Sequence, residues 1–434
     1  MLAERDLPER LRALSGMDRI LPALDGAPPC FLVGGAVRDL LLGRQPVDID
    51  IAVEGDAEAV AARLADALGG EVKAHERFGT ATVRAGGVDA VNLAQTRRES
   101  YPSPGVLPEV EPAGLDEDLG RRDFTVNAIA LALNGDDAGA LSDPHEGRKD
   151  LRDGLIRILH PASFSDDPTR LLRAARYAAR LDFALEAATE ASARDAAAFD
   201  ALTTVSGPRI RDELIDLLAE DEAPRAVALL RDLGLDRALH PGLRGNPDLV
   251  ASAKLGAAET GADPALVALA ALAVRRTASK GGAGDGDTAH PEGNAGGAGD
   301  EDTGFAVWLD RLGLPSGARD AVLQAVRAAP ALVDDLRREL RPSEVCNLLD
   351  GEPPETLALA LALGAPAEPI LDFVSRLRGA HLEITGADLL AAGLPESPAL
   401  GRALVETLAR KLDGEIDGRD EELRVALEIA RGDR

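Results

Sequence analysis

Hydrophobic and polar positions follow one period in the first third of the chain and another in the rest. Short β-type runs stand at Phe31–Val33, Val47–Val53, Thr80–Arg84 and Val88–Leu93. In the second run, Val47, Ile49 and Ile51 alternate with Asp48 and Asp50. A period of two puts both carboxylates on one face of a strand and the apolar residues on the other. A run of helical period, Asp56–Leu68, ends in Gly69–Gly70, a common helix stop. These patterns predict an α/β segment over about residues 30–140. After Leu151 the pattern turns helical and stays so. Alanine-rich amphipathic runs recur at 168–181, 187–203, 208–233, 264–276, 317–329, 355–364 and 399–412, with no repeat of fixed period. The predicted fold class is an α/β N-terminal domain followed by an all-α remainder.

Length and composition refine that outline. A chain of 434 residues is too long for one compact core, so two to four domains are expected. Aromatic residues make up only 3% of it, which leaves aliphatic and alanine packing to fill the interior. Residues 279–304 are rich in Gly, Asp and Ala with almost no apolar bulk. Such a segment cannot bury enough surface to offset its ordering entropy, so it is expected to be a disordered insert. No run approaches the 18 apolar residues of a membrane span, and the N-terminal stretch lacks a signal-like apolar region. The only cysteines, Cys30 and Cys346, support neither a disulfide framework nor a cysteine metal site. A cytoplasmic protein is expected; no protein partner is implied.

The formal net charge of −27 at pH 7 weighs against a phosphate-rich partner. The basic residues are almost all arginine, with lysine occurring five times. Arginines cluster in the first half at 97–98, 121–122, 170, 173, 176 and 180, so a locally basic cleft can exist within an acidic chain. The acidic excess itself predicts tolerance of high salt, where screening relieves repulsion.

Two segments could carry chemistry. In FLVGGAVRDLLLG at 31–43 an apolar strand runs into Gly34–Gly35 and a helix. Paired glycines let backbone N–H groups approach a phosphate at a helix N-terminus, although a plain tight turn would look the same. In VDIDIAV at 47–53, carboxylates at Asp48 and Asp50, roughly 7 Å apart along a strand, could hold Mg²⁺ or simply form a solvated face.

These segments are followed by DEDLGRRDFTVNAIAL at 116–131, FSDDPTRLLRAARYAARL at 164–181 and ITGADLLAAGL at 384–394. In that order the motifs resemble the class II tRNA nucleotidyltransferase and bacterial poly(A) polymerase family, densely over residues 30–205. The resemblance implies an α/β polymerase β-like nucleotidyltransferase head over 1–150. It also implies a helical neck with a base-reading motif over 151–235, and a helical body and tail for tRNA over 236–434. It further implies that Gly34 and Gly35 hold a triphosphate, with Arg38 and Asp39 near the sugar and phosphates. Asp48 and Asp50 would be the catalytic Mg²⁺ ligands. Arg121, Arg122, Asp123 and Asn127 would line the nucleotide pocket. Asp167 and Arg170 would read the base edge, with Arg173 and Arg176 in support. An Arg fork suits phosphate or a base edge, and Asp accepts where Arg donates. Asp167 before Pro168 is also an ordinary helix start, and the arginines could be a solvated stripe.

The implied reaction is template-independent addition of CCA to the 3′ end of tRNA from CTP and ATP, with the acceptor arm gripped by the helical half. Partial CC or A addition, poly(A) synthesis, a non-catalytic RNA-binding relative and transfer to a small molecule or protein are the rivals. One departure concerns Asn92, which stands where many such enzymes carry a third carboxylate. Asp89, three residues away, is expected on the opposite strand face. The expectation is a two-carboxylate site with Asn92 as a neutral neighbour. Neither a His-Asp dipeptide nor a G-x-x-x-x-G-K-[ST] loop occurs.

Overall fold

A computed structural model describes residues 6–46, 48–75, 79–274 and 298–432. Helices α1 (Leu7–Arg12) and α2 (Met17–Ala23) precede strand β1 (Cys30–Val33), helix α3 (Gly35–Leu42), strand β2 (Ile49–Val53) and helix α4 (Ala57–Leu68). Strands β3 (Glu71–His75), β4 (Thr80–Arg84), β5 (Val91–Gln95), β6 (Arg97–Ser100) and β7 (Glu109–Pro112) follow. Then come α5 (Leu115–Gly120), β8 (Ala130–Ala132) and β9 (Leu141–Ser142). Seven strands form one sheet in the order β3-β4-β5-β2-β1-β8-β9, while β6 and β7 pair separately as a hairpin. Within the large sheet β2 and β5 run parallel, and β1 pairs antiparallel with both β2 and β8. The α/β head and helical remainder are therefore as expected.

Local chemistry explains the elements that the pattern foretold. Asp56 accepts from the Ala59 amide at 3.0 Å and starts α4, and Gly69, at φ 66°, ends it. One sheet face packs Ile49, Ile51, Val53, Ala81, Val83, Val91 and Leu93 into the core, and α4 buries Val60, Ala61 and Leu64. The expected strand over Val88–Leu93 begins only at Val91. Asp89 therefore lies exposed in the turn before it, and the expected opposite-face placement does not apply.

Two compact units divide the chain. The first runs to Leu217 and includes Leu229–Leu239; the second holds Leu218–Ala228 and the chain from His240 onward. In the first unit, α6 (Gly147–Asp153), α7 (Ser163–Asp166), α8 (Thr169–Leu181) and α9 (Ala187–Ala198) follow the sheet. The run expected over 208–233 is two helices, α10 (Gly207–Ala219) and α11 (Ala223–Asp232). Pro224 sits at the start of the second, where its missing N–H costs nothing.

The second unit is helical. Lys254 donates to the carbonyls of Leu218, Ala219 and Glu220, groups left over where α10 ends. Helix Pro247–Thr260 approaches helix Pro354–Ala362 so closely that a Cβ at Gly256 would lie 2.6 Å from the Ala358 carbonyl oxygen. Helix Ser316–Asp335 continues through Pro330, whereas the pattern predicted its end at Ala329. The last helices pack Ile384, Leu389, Leu394, Leu400, Ala403, Ala426 and Ala430 together. Most of the expected 279–304 insert lies outside the described residues, but its final part belongs to helix Ala298–Leu312 and is not a loop. Among the described residues no helix is long and apolar enough to cross a membrane.

Candidate active site

A cavity of about 320 Å³ opens in the first unit, lined by residues from widely separated parts of the sequence. Gly34 stands between β1 and α3 at φ 68°, a conformation that favours glycine. A Cβ there would also reach to 3.1 Å from Nη1 of Arg122. The turn thus brings backbone amides and a guanidinium to one wall.

The next wall comes from α5 and the turn after it. Asp118, 1% exposed, accepts from Arg121 (Nη2, 2.7 Å) and from Arg122 (Nη2, 2.9 Å). Burial alone would raise the Asp118 carboxyl. The Arg122 and Arg121 charges and their hydrogen bonds outweigh it and hold the group below its ordinary value. Asp123 is buried likewise. Burial would raise it, but the Arg173 charge and the bonds from Asn127 and Arg173 hold it low. Its Oδ1 accepts from Asn127 Nδ2 at 2.9 Å, and its Oδ2 accepts from Arg173 Nε and Nη2 at 2.9 and 2.7 Å.

Helix α8 supplies the far side. Arg170 donates to Ser163 Oγ at 2.8 Å and to the Arg121 carbonyl at 2.7 Å. Asp167 accepts through Oδ1 from the Thr169 amide, the Thr169 hydroxyl and Arg209, at 3.1, 2.6 and 2.8 Å. The helix-start bond and a place on the cavity wall coexist in this residue.

Ten of the candidate residues line this cavity: Gly34, Gly35, Asp50, Arg121, Arg122, Asp123, Asn127, Asp167, Arg170 and Arg173. Four stand elsewhere. Arg38 and Asp39 are buried behind the wall, bonded to each other at 2.9 and 3.0 Å, with Arg38 also donating to Asn127 Oδ1 at 2.7 Å. Arg176 stacks on the Tyr177 ring and pairs with Glu213 and Asp216 on α10. Asp48 is exposed and precedes β2, which begins at Ile49, so the two carboxylates do not share a strand as the alternation predicted.

Three cavity residues escaped the sequence reading: Glu99, Tyr101 and Tyr177. Glu99 accepts from Arg97 and Arg121 through Oε1, and from the Tyr101 hydroxyl through Oε2 at 3.0 Å. Burial, then the Glu99 charge, pushes the Tyr101 hydroxyl up to about 12, so it stays a donor. The Tyr177 ring carries Arg38 and Arg173 at 5.3 Å and Arg176 at 5.6 Å from its centroid. Rings beside an arginine row of helical spacing are a signal for such stacking.

Residues 30–157 match the family described as poly A polymerase head domain, and 182–245 the one described as a probable RNA and SrmB-binding site of polymerase A. The CC-adding tRNA nucleotidyltransferase of Deinococcus radiodurans is 34% identical over 92% of this chain and 89% of its own length. The chain belongs to the tRNA nucleotidyltransferase and poly(A) polymerase family. The A-adding tRNA nucleotidyltransferase of Geobacter sulfurreducens is also 34% identical, over 93% of this chain, which spans only 45% of that relative's length. A solved CCA-adding enzyme in its apo form superposes with a TM-score of 0.78 at 30% identity, covering 97% of this chain and 96% of its own.

Members of this family are nucleotidyltransferases, a chemistry that generally calls on a divalent cation. Asp50 lies half-buried on the cavity wall. Burial raises its carboxyl; a hydrogen bond from Asn92 lowers it, the nearby Asp48 charge raises it again and Arg122 lowers it. Two mutually repelling carboxylates beside a neutral amide form a hard oxygen donor set with a charge to neutralise. Among the described residues no group of three or more His, Cys, Asp or Glu side chains could hold a metal ion. Mg²⁺ is commonly held by one or two carboxylates together with substrate phosphates, so the residues fit it.

Proposed function

We propose that this chain adds nucleotides to the 3′ end of tRNA without a nucleic-acid template, completing CCA from CTP and ATP. The observation that carries this reading is the convergence of glycines, arginines and carboxylates from the head and from α8 on one cavity. The names of its relatives, which add A, CC or CCA, support the substrate class. Gly34, Gly35 and Arg122 would receive the triphosphate through backbone and guanidinium donors. Arg170 and Asp167 would face the base, one donating and the other accepting. The RNA 3′ oxygen forms a bond to the α-phosphorus while the bond to pyrophosphate breaks; pyrophosphate leaves with that electron pair and the hydroxyl proton passes to solvent. Mg²⁺ held by Asp48 and Asp50 would supply Lewis-acid stabilisation of that charge when bound. The helical second unit would hold the acceptor arm, in a cytoplasmic setting.

The test is incubation with tRNAs ending before CCA, after the first C and after CC, with each nucleotide in turn. Extension of all three to CCA supports the reading. Extension only of the CC-ended tRNA by ATP, or only to CC by CTP, assigns a partial enzyme. Unlimited extension with ATP assigns poly(A) synthesis, and no extension of any RNA overturns the reading.

A further inference from the structure

Strands β4, β5 and β2 lie side by side, and their register puts Thr82, Asn92 and Asp50 in line across the sheet. Hydrogen bonds join the three. Thr82 Oγ1 donates to Asn92 Oδ1 at 3.0 Å, and Asn92 Nδ2 donates to Asp50 Oδ1 at 3.1 Å. Chemistry fixes the direction of this relay independently of how the amide is drawn. A carboxylate accepts, so the amide nitrogen faces Asp50; the amide oxygen then faces Thr82, whose hydroxyl donates. All three are half-buried and line a second cavity of about 310 Å³, which shares Asp50, Arg121 and Arg122 with the first.

We propose that Asn92 is a positioning residue for Asp50: it ties Oδ1, directs Oδ2 to the cation, and lowers the site's cation affinity by withholding a third negative charge. This rests on the metal-assisted reading of Asp50 given above. A cation bridging both oxygens of Asp50 would approach the positive end of the Asn92 amide dipole, so binding through Oδ2 alone is favoured. A carboxylate at position 92 would sit on the adjacent strand, about 4.8 Å away between backbones, and would face Asp50 across the space the amide now fills. With two carboxylates in place of three, the remaining oxygen donors must come from elsewhere. The phosphates of the nucleotide are the available source, so this site takes its cation together with the triphosphate. Thr82 belongs to the device because its hydroxyl, bonded to Asn92 Oδ1, holds the far end of the amide in place while Asp50 sets the direction.

Mn²⁺ alone, followed by loss of the free-ion EPR signal, is titrated into the full chain and its variants without nucleotide or RNA. Asn92→Asp is expected to lower the half-saturating concentration about tenfold, because cation affinity follows the count of ligand charges. A change of less than about threefold overturns the assignment. Asp50→Asn in the same titration tests the reading beneath it. If that variant binds Mn²⁺ as the wild type does, the metal role of Asp50 fails, whatever Asn92 does. Thr82→Val, close in shape, keeps the proposal testable should Asn92→Asp not fold. Its kcat is expected to fall about tenfold with the nucleotide KM within about twofold of wild type, the usual scale for a residue that orients a metal ligand. An unchanged kcat overturns the relay.

Discussion

Arg173 grips Oδ2 of Asp123 through two nitrogens, Nε at 2.9 Å and Nη2 at 2.7 Å, across 50 positions of sequence. The pair ties α8 to the turn after α5, and both residues line the cavity. Asp123→Ala would leave a guanidinium that is only 27% exposed with Glu213 as its remaining carboxylate and the Tyr177 hydroxyl and ring beside it. Removing one partner of such a pair costs about 3 kcal/mol or more, because the remaining charge stays desolvated. Urea unfolding of the variant should show that loss. A midpoint equal to wild type would mean that the pair adds nothing to the first unit's stability.

Asp50→Ala and Asp48→Ala should each reduce nucleotide addition to below about a tenth of wild type, since displacement at phosphorus depends on the liganded cation. Gel-shift affinity for tRNA should be almost unchanged, because neither side chain donates to phosphate. Asp48 stands outside the strand and is exposed, so it is the sharper case. If Asp48→Ala keeps full turnover, the cation is held by Asp50 without it.

The parts of this structure that were legible in sequence are those whose signal is local. The Gly34 turn, α4 with its Asp56 cap and the core face of β2 each follow from a few consecutive residues. β3 was not legible because its Glu71, Val72, Lys73 and Ala74 are all exposed, so no buried face leaves an alternation to read. The hairpin of β6 and β7 likewise pairs largely exposed polar residues across its strands, such as Arg98 with Glu111. At the site, residue types in motif order found ten cavity residues. They could not show that Arg38 and Asp39 face each other, a matter of packing behind the wall. Glu99 was missed because its role depends on Arg121, 22 residues further along, and Tyr101 because its hydroxyl is held by Glu99.

Glu422 makes the second unit sensitive to acid. It is fully buried and accepts from the Glu383 amide at 2.6 Å, the Ile384 amide at 3.3 Å and Lys411 Nζ at 2.6 Å. Burial would raise its carboxyl, but the Lys411 bond and charge and the two amides hold it below its ordinary value. A depressed folded pKa means that the anion's contribution is complete above the unfolded value of about 4.3 and is lost as pH falls through the folded value. Glu422→Gln should cost about 1.5–3 kcal/mol at pH 7, the scale of hydrogen bonds to a charged group. The gap between variant and wild type, read as urea midpoints, should narrow below about pH 4. A gap that stays constant down to pH 3 would show that the charge on Glu422 is irrelevant.

The final prediction separates two jobs held by one carboxylate. Asp167 lies on the cavity wall with Arg170, and its Oδ1 is already bonded to the Thr169 amide and hydroxyl and to Arg209. Cytosine and adenine each offer an amino donor on the pairing edge, at N4 and N6. Guanine and uracil put a carbonyl acceptor in that place, which would face the carboxylate and leave buried groups unpaired. A single acceptor beside the Arg170 donor can therefore choose C and A over G and U. Asp167→Ala removes both jobs and should lose about 1 kcal/mol of stability along with selectivity. Asp167→Asn separates them, because Asn caps a helix as well as Asp does but can turn either an acceptor or a donor to the base. Its thermal stability should fall less than that of Asp167→Ala, because Asn keeps the cap and gives up only the charge facing Arg209, while discrimination against UTP and GTP falls by roughly 1–3 kcal/mol, the worth of a base-edge contact. Misincorporation assays and thermal melts on both variants decide the matter. Wild-type preference for CTP over UTP in Asp167→Asn and Asp167→Ala alike would confine the residue to starting α8.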